Sequence, residues 1–129
     1  LETARNLVVK GGRMILLSQF RGELTPGLEL LQSSRDARSA LQPLAKTQPP
    51  DMVTAMQIAR AADWSRVYLL SRLDPAVVDE LFMVPLENEK QVTRLLAEGG
   101  ACVFVESAQH AWGEIVSRDR QPVDTEVRA

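Results

Sequence analysis

Three short apolar runs without alternation do most to limit what this chain can become. They are Arg13-Met14-Ile15-Leu16-Leu17-Ser18, Val67-Tyr68-Leu69-Leu70-Ser71 and Ala101-Cys102-Val103-Phe104-Val105. Such runs are too short for buried helices, and they lack the polar-apolar alternation of a strand with one wet face. They suit strands covered on both faces, as in a parallel sheet. The stretches between them carry helical spacing. Strand, helices, strand, helices, strand is the order that folds with right-handed crossovers. The expected class is α/β, a three-layer αβα arrangement with a small, mostly parallel, Rossmann-like sheet of three to four strands.

The punctuation between the runs supports this order. Leu1, Ala4, Leu7 and Val8 share a helical face, and Gly11-Gly12 offers a left-handed stop after Lys10. Thr25-Pro26 signals a helix start with Leu28, Leu30 and Leu31 inward. Ala37, Ala40, Leu41 and Leu44 are spaced as a second helix, with a bend or end expected near Gln42 because of Pro43. Asp51 is expected to cap a helix through about Asp63, buried along Met52, Ala55, Met56, Ala59 and Ala62. Asp74-Pro75 starts another helix, and Met83-Val84-Pro85 reads as a short extended segment. Asn88 with Gln91 suggests a capping box ahead of Val92, Leu95 and Leu96, and Gly99-Gly100 ends that helix.

Bulk composition narrows the function classes. The 129 residues are 45% hydrophobic and 25% charged, an ordinary globular balance. The net charge of −2 provides no basic face for nucleic acid. No run is long enough to span a bilayer. The single cysteine, Cys102, forbids an internal disulfide and fits a reduced, cytoplasmic setting; its apolar run marks it as a buried structural thiol. Residues 1–116 are expected to form the domain, with Trp112 and Ile115 covering the sheet edge. Residues 117–129, charged and containing Pro122, are expected to be a flexible tail. The opening helical face and the lack of an initiator Met are read as an excised piece of a larger enzyme.

Chemistry concentrates at one loop. Ligands of open α/β sheets bind at the carboxyl ends of the strands. Ser18, Gln19, Arg21 and Glu23 follow the first strand and are the candidate substrate-binding residues. Arg21 presents a fork for a carboxylate, and Gly22 permits close backbone approach. The competing view is a solvated loop in which Arg21 pairs with Glu23. Gly11-Gly12 precedes its strand, whereas a dinucleotide fingerprint follows one. His110 is the sole histidine, and no metal-ligand spacing surrounds it. Met14, Met52, Met56, Met83 and Trp64 read as packing residues, and no catalytic residue or metal ligand is assigned.

The order of segments resembles a known family. Val8-Val9-Lys10-Gly11-Gly12-Arg13-Met14-Ile15-Leu16-Leu17-Ser18 is similar to the strand that opens the C-terminal domain of nickel-dependent lactate racemases. Ile58-Ala59-Arg60 ahead of Arg66-Val67-Tyr68-Leu69-Leu70-Ser71 resembles that family's next helix and strand. Leu73-Asp74-Pro75-Ala76-Val77-Val78 resembles the helix start that follows. The resemblance implies a two-domain enzyme with its active site in the interdomain cleft. It implies a nickel pincer nucleotide, attached to a lysine of the N-terminal domain, that inverts 2-hydroxy acids by hydride removal and return. This domain would carry no cofactor itself. Its partners would be the N-terminal domain and a small 2-hydroxy-acid-like substrate, with neither nucleic acid nor membrane. The alternative is a non-catalytic ligand-binding or protein-interaction module of the same fold.

Overall fold

The computed structural model describes residues 1–106. The elements in chain order are α1 (Glu2–Leu7), β1 (Arg13–Leu17), α2 (Pro26–Gln32), a 3-10 turn (Arg38–Ala40), α3 (Leu41–Thr47), α4 (Met52–Trp64), β2 (Arg66–Leu70), α5 (Pro75–Glu80), β3 (Val84–Leu86) and α6 (Glu89–Glu98). The strands form one parallel sheet in the order β1-β2-β3. Met14 lies opposite Val67 and Leu16 opposite Leu69, while Tyr68 faces Val84 and Leu70 faces Leu86.

Pleating sends alternate residues to opposite faces. Met14, Leu16, Val67 and Leu69 therefore share one face. They join Leu28 and Leu31 of α2, Leu44 of α3, Ala55 and Ala59 of α4, and Val78 of α5 in the main core. Ala55, Ala59 and Ala61 of α4 are at most 1% exposed, and a larger side chain at any of them would have to displace packed neighbours. Leu31, Leu44, Leu81, Val67 and Val78 are the largest fully buried side chains. Each contributes about 1.5–3 kcal/mol of burial.

The other face carries Arg13, Ile15, Leu17, Tyr68, Leu70, Val84 and Leu86. Here α6 supplies the third layer. It packs on β3 and reaches back until Glu98 lies 3.5 Å from Arg13 at the start of β1. Tyr68 and Leu86 are buried outside the main core, and Val92, Leu95 and Leu96 of α6, the helix that packs on β3, are half-buried. The architecture is a three-layer α/β fold with helices on both faces of a small parallel sheet.

The third strand is Val84–Leu86, the segment read only as a short extended piece. Residues 101–105 pair with no strand among the described residues. Val103 and Phe104 are exposed, and Cys102 is exposed rather than a buried structural thiol. Apolarity shows that a segment can be buried, but not which strand edge receives it. Likewise β1 is an edge strand, so its apolar run is not covered throughout: Leu17 is 67% exposed. Pro85 is tolerated because β3 is also an edge, where a missing N–H matters least.

Local stops also differ from their expected form. α1 ends at extended Val8, and Gly11-Gly12 forms the following turn. The Gly12 N–H donates to the Val9 carbonyl at 2.8 Å, and Gly11 takes φ +79°. A Cβ on Gly12 would lie 2.7 Å from Val8 Cγ1. The Trp64 indole N–H donates to the Val8 carbonyl at 2.7 Å and holds this turn beside the end of α4. The break expected near Gln42 falls at Ala40–Leu41, where the 3-10 turn ends and α3 begins. The proline thus lies in the first turn, where backbone N–H groups lack intrahelical partners in any case. The capping box is shifted by one residue: Asn88 Oδ1 accepts from Gln91 N at 3.1 Å, but Gln91 Oε1 accepts from Glu87 N at 2.8 Å.

Asp51 precedes α4, yet its carboxylate caps a different helix. It accepts from Gly27 N at 2.7 Å, from Leu28 N at 3.2 Å and from the Thr25 hydroxyl, closing the start of α2. A Cβ on Gly27 would lie 2.6 Å from Asp51 Oδ1, so any larger residue there would displace the capping carboxylate. Partial burial pushes the Asp51 carboxyl up, but the Thr25 hydroxyl and the two backbone N–H groups outweigh it and hold the group below its usual value. A carboxyl lowered in the folded state stabilises the fold above its unfolded pKa. That contribution is lost as pH falls through the folded value. Asp51→Ala should cost about 1–3 kcal/mol in urea denaturation at neutral pH. The gap between the two proteins should shrink below about pH 4.

Candidate functional site

The carboxyl ends of β1 and β2 lie side by side, and their pairing continues past the strands. Ser18 N donates to the Leu70 carbonyl at 2.9 Å, and Arg72 N donates to the Phe20 carbonyl at 3.2 Å. Both loops begin with the same device. Ser18 Oγ accepts from Phe20 N at 3.0 Å, and Ser71 Oγ accepts from Leu73 N at 3.2 Å. Each serine thereby turns its loop sharply away from the strand axis. Gly22 adopts φ +143°, a conformation open to glycine alone, and carries the first loop toward α2. In the second loop, Asp74 Oδ1 accepts from Ala76 N at 2.9 Å and starts α5.

Between the two loops is an open cleft of about 400 Å³. One wall is Gly22, Glu23 and Leu24 with Glu29 of α2; the other is Arg72, Leu73 and Asp74 with Val77 of α5. The Gln32 side-chain amide donates to Glu80 and ties α2 to α5. The lining combines aliphatic Leu24, Leu73 and Val77 with three carboxylates, Glu23, Glu29 and Asp74, and one guanidinium, Arg72. Asp74 is committed to its cap, whereas Arg72, Glu23 and Glu29 are in no ion pair among the described residues. Arg72 is the one cationic group of this lining against three carboxylates, so any pairing with a ligand carboxylate would fall to Arg72.

The residues singled out in the sequence are divided by this geometry. Glu23 lines the cleft. Ser18 starts the loop with its oxygen turned onto Phe20 N. Gln19 and Arg21 are exposed and do not line the cleft. No Arg21–Glu23 pair forms among the described residues. Arg72 was overlooked, although it follows β2 as Gln19 follows β1, and the rule that points to one strand's carboxyl end points to its neighbour's. His110, Trp112, Ile115 and the stretch 117–129 lie outside the described residues.

Among the described residues no three His, Cys, Asp or Glu side chains converge to hold a metal ion. These residues do not fit a nickel site, and no chemical step can be routed through one here.

No protein-family model and no curated protein matches the sequence. One solved structure decides the architecture. The lactate racemase apoprotein from Thermoanaerobacterium thermosaccharolyticum superposes with a TM-score of 0.61 at 16% identity, over 73% of this chain and 24% of that protein. The fold is that of part of a lactate racemase. Identity this low carries the fold alone, and the chain corresponds to about a quarter of that enzyme. The likeness agrees, at the level of fold, with the resemblance read from the sequence.

The two arginines and the aspartate of this edge separate by stability. Asp74→Ala removes a formed cap and should cost about 1 kcal/mol in chemical denaturation. Arg72→Ala and Arg21→Ala remove exposed side chains without ion pairs among the described residues, and should stay within about 0.5 kcal/mol of the parent.

Proposed function

We propose that this chain is the C-terminal-type domain of a two-domain racemase- or epimerase-like enzyme, and that its strand-carboxyl edge forms one side of the interdomain active-site cleft. The observation that carries this reading is the cleft with Arg72 at the carboxyl ends of β1 and β2, in a domain with the fold of part of a lactate racemase. In the reading, a small 2-hydroxy acid presents its carboxylate to this edge. The aliphatic part of the lining accommodates its carbon chain, and the partner domain closes over it. The nickel pincer nucleotide would supply hydride removal and return from the N-terminal domain. The described residues hold and orient substrate and exclude water; they do no bond-breaking themselves. The protein would work in the cytoplasm, and residues 1–116 would form the domain.

The test is kinetic. In the complete two-domain protein, Arg72→Ala should raise KM for the 2-hydroxy acid about tenfold or more while kcat changes little, because a charge-assisted pair is lost. Arg21→Ala should act in the same direction if closure brings that loop over the substrate. Unchanged KM in both variants would remove this edge from substrate binding. Metal analysis supplies a second check. The isolated 129-residue chain should retain no stoichiometric nickel after dialysis, and stoichiometric nickel would contradict the assignment of cofactor to the other domain.

A further inference from the structure

Three local preferences of helix ends are set aside around one carboxylate. Asp51 occupies the capping position of α4, yet its side chain makes no capping bond there. Thr25 occupies the capping position of α2, yet its hydroxyl donates to Asp51 instead of accepting from α2. Gly27, a weak helix former, stands in the first turn of α2, where a Cβ would meet Asp51 Oδ1 at 2.6 Å. Each departure frees room or bonding capacity for the same contact. Local rules broken together in this way belong to places where placement matters more than local stability.

What the contact places is a wall of the cleft. The first loop runs from Ser18 to Thr25. At one end the Phe20 carbonyl accepts from Arg72 N at 3.2 Å, across to the second loop. At the other end Thr25, Gly27 and Leu28 all donate to Asp51. Gly22, Glu23 and Leu24 span the interval, and Glu29 follows Leu28 directly; these four form the wall on this side. Asp51 is itself stiffly mounted. Pro49-Pro50 precedes it, and Met52 N donates to the Pro49 carbonyl at 2.9 Å. Ala55 N donates to the Asp51 carbonyl at 3.0 Å, at the start of α4. A carboxylate that does not line the cleft thus fixes one side of it against another helix.

We infer that Asp51 is a positioning residue for this cleft: through Thr25, Gly27 and Leu28 it sets where Glu23, Leu24 and Glu29 stand relative to Arg72. It touches no ligand and acts only through the wall it holds. The placement follows from the geometry of the chain; its meaning for substrate rests on the racemase-like reading. Loss of the carboxylate leaves the first loop tied at Phe20 alone, so the bond between Phe20 and Arg72 weakens with it.

Amide hydrogen exchange in the full 129-residue chain tests the placement. It is read at Arg72, whose N–H belongs to the opposite wall and bonds to the first loop. Asp51→Ala removes every acceptor, and Asp51→Asn keeps one oxygen. Asn88→Ala, which removes a formed cap from α6 on the other face of the sheet, is the control. Rates are referred to the slowest amides of β2 in the same protein, which removes the effect of global stability. Arg72 should exchange at least about tenfold faster in Asp51→Ala than in Asn88→Ala, with Asp51→Asn between parent and Asp51→Ala. If Asp51→Ala does not fold, Asp51→Asn carries the comparison, at about threefold or more over Asn88→Ala. Equal acceleration in the Asp51 and Asn88 variants, or parent-like exchange in the Asp51 variants, would overturn the placement. In the complete two-domain protein, Asp51→Asn should raise KM for the 2-hydroxy acid about threefold or more with kcat little changed, and Asn88→Ala should not. KM unmoved in Asp51→Asn but raised in Arg72→Ala would overturn the role in binding and leave the racemase-like reading standing. KM unmoved in both would remove that reading and the binding role together, and exchange at Arg72 would still decide the placement.

Discussion

Parallel strands cannot be joined by a tight turn; each pair needs a crossover that returns the chain to the same end of the sheet. Between Leu17 and Arg66 that requirement consumes three α-helices and a 3-10 turn, and it forces all of them onto one face. From this follow the main core, the small residues of α4 and the placement of both post-strand loops at one edge. The Asp51 carboxylate then braces the long crossover from within. It starts α2 from a position just ahead of α4, so two helices distant in sequence share one anchor. The site at the strands' carboxyl ends is a by-product of this return path, since successive loops must emerge together.

Much of the fold was legible because the signals were local. Two apolar runs bounded by glycine and serine became β1 and β2 within a residue of their expected limits. Asp74 and Asn88 capped the helices they were expected to cap. Errors arose where the deciding partner is remote. Asp51 looks like a cap for its own helix, but its carboxylate is taken by Gly27 and Leu28. The run 101–105 is more strand-like in composition than Val84-Pro85-Leu86, yet among the described residues only the latter pairs, and its short connection through α5 presents it to β2. Burial of Cys102 was inferred from its neighbours in sequence, whereas burial is decided by neighbours in space.

The candidate site was half legible for a related reason. Strand ends announce loops, so Ser18 and Glu23 could be placed at the working edge without coordinates. Which side chains converge depends on register. Ser18 bonds to Leu70 and Phe20 bonds to Arg72 across the two loops, and this offset draws Glu23 and Arg72 to one cleft while leaving Gln19 and Arg21 outside it. Register between strands fifty residues apart is not written in either run alone.

The two edges of the sheet are chemically unequal. β3 is three residues long and has a proline at its centre, whereas β1 is five residues long and free of proline. A proline and a short span leave few backbone donors for an incoming chain, and proteins use both to keep an edge inert. The sheet therefore has a closed side and a receptive side. Insertions or fusions near β3 should be tolerated as surface changes. Any added bulk beside β1 would instead meet a longer, proline-free edge whose outer backbone groups face no strand among the described residues.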